Sequence, residues 1–292
     1  MIRQAYRAGS FYEANAAACR QAAQKILQSA QLPKDLPKGI VGGLVPHAGW
    51  VFSGRTAAVT LKAMAAANRL SRVVIFGADH WGIARGGAVY DQGSWQTPLG
   101  ELPVDAELAA ALLKACPQLH SDERAHAREH SIEVQLPLMQ VLQKGIKIVP
   151  INVMPSPEAA PIGRAVGEVL ARDFPEAGVV GSTDLTHYGP QYGFTPGGMG
   201  DAGLEWAREN DRRVLKLVEM MRAEQIVEES DARRNACGGG AMAAAVAAAA
   251  AMGAKQGLLL EYTSSAEVLR QMERLSDGQI SDAVGYAAVV FA

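Results

Sequence analysis

Three apolar runs in this chain stop abruptly and release a histidine. Ile40-Val41-Gly42-Gly43-Leu44-Val45 halts at Pro46, and His47 follows. Arg72-Val73-Val74-Ile75-Phe76-Gly77 leads into Ala78-Asp79-His80. Gly178-Val179-Val180-Gly181-Ser182 leads into Thr183-Asp184-Leu185-Thr186-His187. Short β-branched runs bounded by glycine or proline read as buried strands, and segments of helical composition lie between them. Strand, helix, strand is the pattern of a parallel sheet, whose strands all end on one side. Ligands of open α/β sheets bind outside those carboxyl ends. The pattern therefore predicts that His47 and His80 face each other across neighbouring strand ends, with His187 at the same edge.

The remaining chain extends this plan. Helices are predicted over 16–30, 56–67, 105–115, 161–171 and 204–229, the last in one or two pieces. The second half of 126–137 begins another, running to about 144. A strand is expected at 147–153, a hairpin or excursion at 88–100, and closing strands at 257–262 and 283–291. The glycine-rich stretch 193–203 reads as a lid or an interface. No linker or internal repeat divides the chain. With 292 residues, 49% of them hydrophobic, there is ample core for one α/β domain over 1–292. Its central sheet, mostly parallel or mixed, is flanked by helices.

Composition excludes several classes. The chain carries 28 basic and 30 acidic residues and a net charge of −2, with no basic half, so nucleic acid is not an expected partner. Three scattered cysteines, Cys19, Cys116 and Cys237, make no disulfide framework and fit a reducing compartment. The first residues lack the apolar core of a signal peptide. The uncharged stretch 236–254 is mostly alanine and glycine and lacks the Leu, Ile and Phe of a membrane span. It reads as a tightly packed helix of a soluble, cytoplasmic protein.

The residue types point to metal chemistry. Neutral imidazoles at His47 and His80 suit iron, copper or zinc. Cys237 is the best third ligand, because it precedes a helix, whose N-terminal end favours a thiolate. Asp184 and His187 share one turn, and an imidazole is the side chain best suited to act as a general acid or base near neutral pH. Two other patterns compete. His126-Ala127-Arg128-Glu129-His130 spells H-x-x-E-H, an inverted zinc-protease signature that needs a helix, yet its lead-in Ser121-Asp122-Glu123-Arg124 reads as a loop. Ser182, Asp184 and His187 could form a hydrolase triad, but they are too close in sequence and lack the G-x-S-x-G elbow. His126, His130 and Asp79 stay without a role, and Asp79 either adds negative charge beside His80 or caps its loop.

Taken together, several segments resemble the Memo family, whose prokaryotic members are often labelled AmmeMemoRadiSam system protein B. They are Gly9-Ser10-Phe11-Tyr12, Pro46-His47-Ala48-Gly49, Gly77-Ala78-Asp79-His80, the run Glu129-His130-Ser131-Ile132-Glu133-Val134-Gln135-Leu136-Pro137, Ser182 to Gly189, and Cys237-Gly238. The resemblance implies a fold like that of class III extradiol dioxygenases, which hold Fe(II) with two histidines and a glutamate. It implies that His47 and His80 are the histidine ligands and His187 the acid/base. Cys237 then stands where the glutamate would be, with Asp184 beside the site. A thiolate is softer than a carboxylate and favours copper(I), or iron with altered redox behaviour. The chain departs from the family at Gly77-Ala78-Asp79-His80, where Gly-Pro-Ser-His is common. The implied functions are metal-dependent redox or oxygen chemistry, a peptide-binding adaptor role in the same pocket, or extradiol cleavage. The implied partners are a small-molecule or peptide ligand and radical-SAM and AMMECR-type proteins.

Overall fold

The apolar runs become strands and the alanine-rich segments become helices in a computed structural model that describes residues 1–272 and 281–292. In chain order the strands are β1 (Ile2–Arg3), β2 (Gly42–Val45), β3 (Arg72–Ala78), β4 (Gly87–Val89), β5 (Ser94–Thr97), β6 (Gly100–Pro103), β7 (Leu119–Ser121), β8 (Lys147–Val153), β9 (Gly178–Ser182), β10 (His187–Tyr188), β11 (Gly257–Ser264) and β12 (Ala283–Phe291). The helices are α1 (Ala16–Ser29), α2 (Trp50–Ala66), α3 (Ala106–Ala115), α4 (Leu136–Leu142), α5 (Ala159–Asp173), α6 (Gly200–Glu219), α7 (Ala223–Arg233), α8 (Gly239–Ala251) and α9 (Ser265–Gln271).

The main sheet runs β10-β12-β2-β9-β3-β8-β4-β7, with β11 paired on β12. Its centre, β2-β9-β3-β8, is parallel, while β12 and β4 lie antiparallel on either side. The mixed α/β sheet flanked by helices is thus what the sequence predicts. Strands β1, β5 and β6 form a separate small sheet. The expected 88–100 excursion therefore divides, its first part joining the main sheet and its second forming the β5–β6 hairpin.

One expectation is corrected. β2 and β3 are not neighbours, because β9 lies between them and pairs parallel with both. The crossover through α2 leaves a place in the sheet, and a strand from much later in the chain fills it. Val45 pairs with Ser182 and Phe76 with Gly181, so the three strand ends are level and release their loops together.

Close packing explains the small residues. A Cβ on Gly163 of α5 would lie 2.0 Å from the Ala244 carbonyl oxygen, and one on Gly167 would lie 2.2 Å from that of Ala248. A Cβ on Gly181 would meet the Ala245 methyl at 2.7 Å. Helix α8 is therefore pressed between α5 and the sheet, and from Gly239 to Ala249 it is buried throughout. No helix among the described residues is long and apolar enough to cross a membrane. The expected 204–229 helix forms as α6 and α7, separated by Met221 at a positive φ of 55°.

Candidate metal centre

The loops after β2, β3 and β9 meet the segment before α4 and the start of α8. The ligating nitrogens of His47, His80 and His130 all lie within 4.8 Å of one another. Their ring centroids are 5.2, 5.4 and 5.0 Å apart for the three pairs. Imidazoles that share an ion ~2 Å from each nitrogen hold their ring centres roughly this far apart. Cys237 Sγ lies 3.2 Å from His47 Nε2.

Hydrogen bonds decide which nitrogen of each ring is free. The Ser182 hydroxyl donates to the Ser131 carbonyl at 2.7 Å, so it can only accept from His47 Nδ1, 3.0 Å away. That leaves the lone pair of His47 on Nε2, the atom beside Cys237. His80 Nδ1 lies 3.0 Å from Glu129 Oε1, and a carboxylate only accepts, so Nδ1 carries a proton and Nε2 is the atom of His80 that can ligate. A carboxylate behind a histidine in this way fixes its tautomer and raises its basicity as a ligand.

Glu129 also accepts the backbone N–H groups of His80, His130 and Ser131 at 3.0, 2.8 and 2.9 Å. Burial opposes its charge, but the hydrogen bond from His80 and the backbone donors hold it well below the usual carboxylate range. Ser131 Oγ accepts the Ala78 N–H, and Gln135 Nε2 donates to the Pro46 carbonyl. The segment 129–135 thus pins both histidine-bearing loops.

Charge at this point is favoured. Burial opposes a thiolate at Cys237, yet the neighbouring His47 and His80 bring its pKa down to about 6. The Asp184 backbone N–H donates to its sulfur at 3.3 Å. Burial likewise opposes a charged His80, but hydrogen bonding to Cys237 and Glu129 pushes it up to about 10. His130 goes the other way: burial and the nearby His47 lower it to about 3, which keeps it a neutral donor. Once an ion displaces the Nε2 proton of His80, imidazole nitrogens beside a thiolate make a soft, partly anionic set of the kind that fits iron, copper or zinc.

A cavity of about 700 Å³ opens onto these rings. Asp184 and His187 line it, as the sequence predicts. His187 Nδ1 donates to the Leu185 carbonyl at 3.1 Å, leaving Nε2 as its free acceptor. Asp184 is buried and accepts the His47 N–H at 2.6 Å; burial raises its pKa. A neighbouring cavity of about 780 Å³ shares Phe11, Gly49 and Phe52 but contains no histidine.

Behind the Asp184–His187 turn, Asp211 of α6 accepts the Thr186 N–H and the Tyr262 hydroxyl, each at 2.8 Å. Burial pushes Asp211 up to about 7. Its folded pKa lies above the unfolded value of ~3.9, so the folded chain holds this proton more tightly. That contribution to stability is present at low pH and is lost as pH rises from about 4 through 7. Asp211→Asn mimics the protonated form and removes the dependence. In urea unfolding at pH 5 and pH 8, the variant is expected to gain on the parent by roughly 2 kcal/mol or more at the higher pH, at ~1.4 kcal/mol per unit. An unchanged difference between the two pH values would contradict the assignment.

Several sequence readings resolve here. His126 and His130 do not share a helix: residues 123–126 form a 3-10 turn, and His126 points away to donate to the Ala88 carbonyl. The H-x-x-E-H reading therefore fails, and the expected helix is only the short α4. His130 joins the histidine cluster and Glu129 backs His80, positions that no local sequence pattern marks. Asp79 caps its own loop by accepting the N–H groups of Ile83 and Ala84. Ser182 serves His47 as an acceptor and is no nucleophile of a triad. Cys19 and Cys116 are buried and, like Cys237, unpaired.

The family model described as Memo-like protein matches residues 3–290. A MEMO1 family protein of Methanopyrus kandleri is 34% identical over 301 residues, covering 100% of this chain and 99% of the relative. Those of Thermococcus onnurineus and Thermococcus kodakarensis are each 35% identical, again over 100% of this chain and 99% of each relative.

Proposed function

Since the chain belongs to the Memo family, we propose that it binds iron or copper through His47, His80 and Cys237 and performs redox or oxygen chemistry on a small substrate in the adjoining cavity. The observation that carries this reading is the convergence of two tautomer-fixed imidazoles on a favoured thiolate. Such an ion would supply one-electron redox steps and activation of oxygen, whereas zinc in the same donors would supply polarisation alone. His130 adds a neutral nitrogen to the set.

The chain's own residues then do the following. Glu129 and Ser182 orient the two rings. Asp184 holds the His47 backbone, and its own N–H steadies the sulfur. His187 Nε2 takes a proton from a substrate hydroxyl or returns one, while Tyr192 packs edge-on against its ring at 5.1 Å and holds it in place. Radical-SAM and AMMECR-type proteins, which the family label brings with it, are the partners we propose for pathway experiments.

Metal analysis of anaerobically purified protein tests the reading. The parent is expected to carry close to one iron or copper per chain. His47→Ala and Cys237→Ala are both expected to lose it, while His130→Ala keeps it at lower affinity. Retention of full metal content in both of the first two variants would overturn the donor set.

A further inference from the structure

We propose that the substrate of this cavity is a small planar monoanion, a carboxylate-bearing molecule whose charged group is held by Arg7. The proposal rests on reading the cavity as the reaction site. Arg7 lines the same cavity as His47, His80 and His187. Its backbone N–H is taken by Glu133 at 2.7 Å, which fixes where the side chain starts. The guanidinium carbon lies over two aromatic rings, 4.9 Å from the Tyr6 ring centre and 4.7 Å from that of Phe11. A guanidinium held over aromatic rings in this way can still offer the N–H donors in its plane to a ligand. No carboxylate among the described residues pairs with it, and its Nε is buried without a hydrogen-bond partner. A buried donor left unmade is costly, so a partner is expected.

The surroundings choose the partner. Arg7, Phe11 and His130 form one wall, with the His130 ring 5.0 Å from that of Phe11. His187 and Tyr192 form another. Phe52, Trp81 and Tyr286 also line the space, so the body of the ligand meets mostly aromatic surface. Asp184 and Asp282 line it as well, and neither has an arginine or lysine partner among the described residues. One guanidinium can pair with one carboxylate of a ligand, and the acidic side chains of Asp184 and Asp282 disfavour a second negative charge such as that of a phosphate monoester. A carboxylate accepts two parallel N–H bonds from a guanidinium, which would satisfy the orphaned donor edge and orient the rest of the molecule between Arg7 and His187.

Calorimetric titration with benzoate, benzamide and phenyl phosphate tests this, on protein as purified and after chelator treatment. Benzoate is expected to bind about tenfold tighter than benzamide, which corresponds to ~1.4 kcal/mol. Arg7→Gln should erase that preference and Arg7→Lys, which keeps the charge but not the paired donors, should keep only part of it, while metal content stays at the parent level in both. Equal binding of benzoate and benzamide, a preference that survives in Arg7→Gln, tighter binding of phenyl phosphate, or no saturable benzoate binding at millimolar concentration would each overturn the proposal. The preference and its dependence on Arg7 are read in the chelated protein too. They therefore stand or fall independently of whether an ion is found at the histidines.

Discussion

Glu133→Gln is expected to cost about 3–5 kcal/mol of stability, the range for breaking one side of a buried ion pair. Arg3 and Glu133 are both essentially without solvent exposure and meet at 2.6 Å. The carboxylate also accepts the Tyr12 hydroxyl at 2.6 Å and the backbone N–H groups of Tyr6 and Arg7 at 2.9 and 2.7 Å. With its charge removed, the Arg3 guanidinium stays buried over Trp95, 4.2 Å from the ring centre, with no counter-ion. Arg3 donates to the carbonyls of His126 and Glu129 at 2.9 and 2.6 Å. The pair therefore fastens the N-terminal segment to the backbone that carries Glu129 and His130. Urea unfolding of Glu133→Gln, Arg3→Met and the double variant checks this. The double variant should recover part of the loss, because no unpaired charge remains. A loss below about 1 kcal/mol in the single variants would mean that the pair behaves as a solvated surface bridge.

Glu129→Gln should weaken metal binding by about 10- to 100-fold, the usual effect of losing the group behind a ligating histidine. The glutamine keeps an oxygen for the His130 and Ser131 N–H groups, so the loop can hold its shape. What disappears is the negative charge that makes His80 basic, together with the oxygen that accepts the His80 backbone N–H. Competition with a chromophoric chelator gives the affinity directly. An affinity within a factor of about two of the parent would show that the carboxylate is a structural cap with no influence on the donor atoms.

The strands were legible because their apolar runs are continuous and end at glycine or proline. Their order in the sheet was not, since pairing of β9 between β2 and β3 is a long-range choice that no local pattern records. The histidines at strand ends stood out for the same reason the strands did. His130 did not, because it follows an irregular segment and its neighbour His126 offered a misleading match to a helical motif. Glu129 reads locally as an ordinary acidic residue. Its role comes from the His80 ring and backbone, which lie on another loop. Arg7 looks like any surface cation until the walls of the cavity are assembled around it. Helix α8 was recognisable as a packed helix from composition alone, since alanines and glycines without larger apolar side chains serve close approach.

The most direct test of the account is anomalous diffraction at the iron, copper and zinc edges from crystals of anaerobically purified protein. The account predicts one peak at the strand-end cluster, within roughly 2–2.5 Å of His47 Nε2, His80 Nε2 and Cys237 Sγ. A peak held elsewhere by carboxylates, or none at this cluster at any of the three edges, would contradict it.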